Sequence, residues 1–136
     1  KNAMGIGEVI MEGTGDNLRV SLKAAPQEEV LAGFDILRAA GREVPGHEVV
    51  SCQTCGRTNI PVEEIAAEVQ RRLVGNPKQV KVAVMGCVVN GIGEGKEADI
   101  GIAGGRDSAV LFVKGEKKRT LHGDYVQELI DEIEKL

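Results

Sequence analysis

The stretch VKVAVMGCVVNGIGEG, residues 80–95, decides how the rest of the chain is read. Its first part, Val80 to Met85, has the length and the β-branched, small apolar composition of a buried strand. Its second part, Gly86 to Gly95, is rich in glycine, reads as a loop and holds Cys87. Upstream, Val62, Ile65, Ala66, Val69 and Leu73 recur at the spacing of one helix face, which predicts a helix from about Pro61 to Val74, closed by Gly75-Asn76-Pro77. Before it come a short strand at about Glu48 to Val50 and a loop with Cys52 and Cys55.

Downstream, strands are expected at about Ile100 to Ala103 and Ala109 to Val113, followed by a polar turn, Lys114 to Lys117. A last helix spans about Tyr125 to Leu136, with Asp124 as its cap and Val126, Leu129, Ile130 and Ile133 on its buried face. This unit is α/β: a small sheet covered by helices.

Arg42 to Gly46 is polar, contains a Pro-Gly pair and reads as a hinge. Ahead of it, Pro26 opens a helix in which Glu28 and Glu29 favour the positive end; Val30, Phe34 and Leu37 share a face, and Gly41 ends the helix. Leu18 to Leu22 alternates as a strand would, after the turn-prone Gly13 to Asn17. Lys1-Asn2-Ala3 before Met4 has the look of a tag remnant and is left out of the fold argument. The division is therefore 1–3, 4–45 and 46–136.

A chain of 136 residues holds one domain with a real core and is too short for a barrel of about 250 residues. A net charge of −4 and only three aromatic residues, Phe34, Phe112 and Tyr125, argue against a nucleic-acid surface. No apolar stretch approaches the ~20 residues of a membrane span, and no secretion signal opens the chain, so a cytoplasmic protein is expected. Three cysteines, an odd number, fit a disulfide framework poorly and point to ligand or redox thiols.

Cys52 and Cys55 form a C-x-x-C pair, and Cys87 lies 32 positions after Cys55, so the three converge only through folding. A thioredoxin-like couple would leave Cys87 unexplained. A zinc site would need His47 or His122 as fourth ligand, and neither stands at finger spacing. Cys87 alone is also compatible with a buried core cysteine. The third possibility is a [4Fe-4S] cluster with three thiolates and one iron left for a weaker ligand or a substrate. Glu94 is the one carboxylate within reach in the loop, and an ordinary solvated acid is its equal alternative.

These residues resemble a known family. Ser51-Cys52-Gln53-Thr54-Cys55-Gly56-Arg57, followed after a helix and a strand by Met85-Gly86-Cys87-Val88-Val89-Asn90-Gly91-Ile92-Gly93-Glu94, is similar to the cluster-binding signature of the 4-hydroxy-3-methylbut-2-enyl diphosphate synthase family. Gly13 to Leu22 also looks like that family's last barrel strand, so the likeness covers nearly all of the chain after residue 3.

The resemblance implies a sulfite-reductase-like cluster domain preceded by a remnant of a (β/α)8 barrel. By it, Cys52, Cys55 and Cys87 are thiolate ligands of a [4Fe-4S] cluster and Glu94 is the carboxylate ligand of the fourth iron. Asn90 matches a residue that reaches the substrate, while Arg19 and Ser21 match residues that hold its diphosphate. An arginine and a hydroxyl are natural phosphate partners, although without the resemblance an exposed pair on a strand is the plainer reading. The implied reaction is reductive ring opening and dehydration of 2-C-methyl-D-erythritol 2,4-cyclodiphosphate, with flavodoxin or ferredoxin as electron donor and a homodimer as the assembly. The chain departs from the family in lacking the rest of the barrel and its acid-base carboxylate, so it is expected to be inactive alone, with Leu18 to Leu22 lacking neighbours on both edges. A free-standing zinc-binding or electron-transfer module is the competing reading.

Overall fold

The computed structural model describes the backbone of residues 1–136 and every side chain except that of Asn90. In chain order the elements are α1 (Asn2–Met11), α2 (Pro26–Ala39), β1 (Glu48–Ser51), α3 (Val62–Leu73), β2 (Lys81–Met85), α4 (Val88–Glu94), β3 (Ile100–Gly104), β4 (Ala109–Val113), β5 (Glu116–Leu121) and α5 (Tyr125–Lys135). They divide into two units, Lys1–Pro45 and Gly46–Leu136. Among the described residues, no helix is long and apolar enough to cross a membrane.

In the second unit the strands form one sheet in the order β1-β2-β3-β4-β5. β1, β2 and β3 are parallel, and β4 and β5 return antiparallel. The period-2 alternation along a strand assigns β2 to two cores at once. Val82 and Val84 pack with Ile65, Val69 and Leu73 of α3 and with Leu129 and Ile133 of α5. Ala83 and Met85 face the other way, with Ala103, Phe112 and Ile92 of α4. The layers are thus α3 and α5, the sheet, and α4.

The α4 side of the sheet is built from small residues, which lets the helix sit close. A β-carbon on Gly91 would lie 2.7 Å from Met85 Cβ, and one on Gly95 would lie 2.6 Å from Phe112 Cζ. Gly101 is equally confined: a β-carbon there would stand 2.5 Å from Phe112 Cζ and 2.6 Å from the Ala83 carbonyl oxygen. The neighbouring strand cannot withdraw without losing its ladder, so Gly101→Ala is expected to lower stability by about 1–3 kcal/mol as overpacking. Urea denaturation of the variant beside the parent checks it.

Residues 86–95 were expected to be a loop, and the structure instead winds Val88–Glu94 into α4. The glycines that read as helix breakers are the contact points at which a larger residue would hold the helix off the sheet. The polar turn expected at Lys114–Lys117 is a two-residue hairpin turn, Lys114 (φ 49°) and Gly115 (φ 77°), leading into β5. β5 escaped notice because Glu116–Thr120 is exposed and carries no apolar alternation. Its charges blunt an edge strand and tie it to α5: Arg119 pairs with Glu128 at 2.6 Å and with Glu132 at 3.3 Å.

The helices of the second unit follow their periodicity closely. Asp124 accepts a hydrogen bond from the Gln127 backbone N–H at 3.1 Å, as expected of the α5 cap. Asp124→Ala is expected to cost about 1 kcal/mol, read from the thermal midpoint. At the other end of α5, Lys78 Nζ donates to the carbonyls of Ile133 (3.0 Å) and Glu134 (2.6 Å).

The first unit departs further from expectation. Asn2 and Ala3, set aside as tag residues, lie inside α1, a helix the sequence reading did not include. Leu18–Leu22 is not a strand, since a strand needs a partner and the unit's regular elements are two helices. The segment lies on α2 instead: a β-carbon on Gly33 would be 3.2 Å from Leu18 and 3.7 Å from Val20, and Glu29 accepts the Leu22 N–H at 2.9 Å. Gly33 and Ile36 are the buried positions of α2, while Val30 and Phe34 of the expected face are 57% and 38% exposed.

Candidate functional site

Parallel pairing of β1 with β2 places two of the cysteines. The register sets Ser51 opposite Val84, and the Cys52 N–H extends it by donating to the Val84 carbonyl at 3.4 Å. Cys52 therefore leaves the sheet beside Met85, and Cys87 follows two positions later on the adjacent strand's exit, as the N-cap of α4. Cys55 belongs to the loop that leaves β1. Cys52 and Cys87 are half-buried, Cys55 is exposed, and all three are free thiols.

The backbone around the sulfurs is arranged in detail. Gly86 N–H donates to Cys52 Sγ at 3.1 Å, and Arg57 N–H donates to Cys55 Sγ at 3.5 Å. The Cys55 loop is closed by Thr58, whose N–H donates to the Cys55 carbonyl and whose Oγ1 accepts the Cys55 N–H, both at 3.0 Å. Asn59 N–H then donates to the Gly86 carbonyl at 2.8 Å, joining this loop to the residue before Cys87. Gly86 is pinched from both sides: a β-carbon on it would lie 2.9 Å from Thr58 Oγ1, and one on Gly104 would lie 2.5 Å from the Gly86 carbonyl oxygen.

Glu94 closes α4 and is exposed. Seven positions are close to two helical turns, which puts it on the same face as Cys87 but about 10 Å along the axis. The side chain of Asn90 lies outside the described residues. Arg19 and Ser21 are exposed residues of the first unit, and the Ser21 carbonyl accepts from Asn2 Nδ2 at 3.2 Å. The three cysteines thus share one rim of the sheet, and Glu94 stands apart from them.

The histidines do not join them. His47 precedes β1, at the opposite end of the strand from Cys52, about 16 Å away over five residue steps of extended chain. His122 follows β5, about 14 Å from β2 across three strand spacings. A zinc ion with three sulfurs and a histidine has no such fourth ligand at this rim. Among the described residues, no three His, Cys, Asp or Glu side chains converge on the position of a single ion. A four-iron cluster takes each thiolate on a separate iron and asks for no such convergence. Three free thiols on one rim, with N–H groups aimed at two of them, fit that group.

Thr58, Asn59 and Gly104 were absent from the residues singled out by sequence. A threonine three positions after a cysteine is a local turn signal that would have flagged Thr58. The Asn59 and Gly104 contacts to Gly86 join distant parts of the chain, and no spacing rule reveals them.

Comparison with known proteins supplies independent information. A model of the GcpE protein C-terminal domain matches residues 48–135. The chain is 51% identical over 137 aligned positions to the 4-hydroxy-3-methylbut-2-en-1-yl diphosphate synthase (flavodoxin) of Clostridium tetani, covering 100% of this chain and 39% of the relative. The protein of the same name from Caldanaerobacter subterraneus is 53% identical over the same shares. That from Nitratidesulfovibrio vulgaris is 51% identical over 90% of this chain and 32% of its own length. The chain therefore spans about two fifths or less of the length of these relatives.

Proposed function

The chain belongs to the GcpE family through its C-terminal domain, and from that premise we propose that it is the C-terminal part of a 4-hydroxy-3-methylbut-2-en-1-yl diphosphate synthase. In this reading Gly46–Leu136 is the cluster-binding, sulfite-reductase-like domain, and residues 4–45 are the last elements of a barrel whose remainder lies outside this sequence. The observation that carries it is the placement of Cys52 and Cys87 at the exits of adjacent parallel strands, with Cys55 tied to the same rim.

Cys52, Cys55 and Cys87 would hold a [4Fe-4S] cluster, with Glu94 as the fourth ligand by resemblance. When bound, the cluster would supply single electrons and one iron whose carboxylate ligand is more easily displaced than a thiolate, as the reductive opening and dehydration of 2-C-methyl-D-erythritol 2,4-cyclodiphosphate requires. The protein's share is binding and orientation. Arg19 and Ser21 offer a positive fork and a hydroxyl for a diphosphate, and Asn90, by resemblance, offers an amide for the substrate. Flavodoxin, part of the relatives' names, is the electron donor of choice over ferredoxin, and the complete enzyme is a cytoplasmic homodimer in this reading.

Anaerobic reconstitution with iron and sulfide, followed by iron counting and absorption spectroscopy, tests the cluster assignment. About four irons per chain with a brown charge-transfer band is the expected result. Stoichiometric zinc binding without iron uptake would replace it by a free-standing zinc module. Full turnover by this chain alone would show that the rest of the barrel is not needed.

A further inference from the structure

We propose that Thr58 is a positioning residue for the cysteine site, setting where Cys55 stands relative to Cys87. The inference rests on the cluster reading above and concerns a residue which that reading leaves without a role. Thr58 does two things at once. Its hydroxyl accepts the Cys55 N–H at 3.0 Å while its own N–H returns to the Cys55 carbonyl, so both backbone groups of Cys55 are held by one residue. Its branched side chain also lies against Gly86, close enough that a β-carbon there would meet Thr58 Oγ1 at 2.9 Å and Cγ2 at 3.0 Å.

Gly86 is the hub of this arrangement. Its N–H is given to Cys52 Sγ, its carbonyl takes the Asn59 N–H, and the next residue is Cys87. Thr58 thus connects the backbone of one thiol to the residue that touches a second thiol and precedes the third. An exposed loop held by turn hydrogen bonds alone opens easily, because water competes for each of them. A half-buried threonine wedged on a rigid glycine removes that freedom, since the Gly86 carbonyl is itself backed by Gly104 of β3. The three thiols are then spaced before any iron arrives, and less conformational entropy is lost on binding.

The experiment compares Thr58→Val and Thr58→Ser in the full 136-residue chain after anaerobic reconstitution. Iron release to an excess of chelator is followed by bleaching of the charge-transfer band. Valine keeps the branched shape and deletes the acceptor; serine keeps the acceptor. Release from Thr58→Val is expected to be about three- to tenfold faster than from the parent, the equivalent of one net hydrogen bond, with Thr58→Ser within about twofold of the parent. Thr58→Ala, which has no branched bulk to misplace, tests the same hydroxyl if the valine variant does not fold. Parent-like release from the variants lacking the hydroxyl would overturn the proposal, as would release from the serine variant as fast as from valine. A parent chain that takes up no iron would instead remove the cluster reading itself.

Discussion

Cys87→Ser is expected to leave the chain folded and to abolish stable cluster uptake, with iron after reconstitution falling from about four per chain to near zero. A serine hydroxyl is a hard donor that stays protonated at neutral pH, so it replaces a thiolate on iron poorly. The change is close to isosteric, and Cys87 is only half-buried at the start of α4, so the apo chain's stability should move by no more than about 0.5 kcal/mol. That contrast gives the experiment its force, since loss of iron from a chain that melts like the parent can only come from loss of the donor. Iron uptake equal to the parent's would show that Cys87 is not a ligand and that the three-thiolate assignment is wrong.

The second large effect is structural. Phe112→Ala is expected to destabilise the protein by about 3–5 kcal/mol, read from the urea midpoint, which is a large part of the 5–15 kcal/mol typical of a domain. Phe112 is fully buried and is the largest residue on the α4 side of the sheet. Its ring fills the space that Gly95 and Gly101 leave open, and neither glycine has a side chain to collapse into the cavity. Because α4 rests on this ring and begins at Cys87, the variant should also lose cluster faster than the parent. A loss below about 1 kcal/mol would mean that α4 settles into the vacated space and that the glycines are not a rigid seat.

Much of this was legible in the residues. Val62, Ile65, Val69 and Leu73 announced α3, Leu129 and Ile133 announced α5, and Asp124 announced its cap. In each case burial on one face of a regular element imposes a period that local sequence must carry. The three cysteines stood out in the sequence as candidate ligands by their number and spacing, whereas their common rim appears only in the fold. Where the reading failed, local signals pointed the wrong way. Gly91 and Gly95 looked like breakers because a glycine's cost is local, while its benefit, close approach to Met85 and Phe112, appears only across the sheet. Leu18 to Leu22 has the alternation of a strand, yet alternation creates no partner.

By itself, then, the sequence determined the helices and central strands of the second unit, three cysteines as candidate ligands and, through resemblance, the family. The tertiary structure decided what depends on pairs of residues far apart in the chain: that Cys52 and Cys87 leave adjacent parallel strands, that β5 closes the sheet, that a glycine-rich run winds into α4, and that Thr58 and Asn59 fasten onto Gly86. The physical reason is range. Periodicity and capping are energies between near neighbours in sequence, whereas the contacts at this site come into being only when the parallel sheet has brought its strands together.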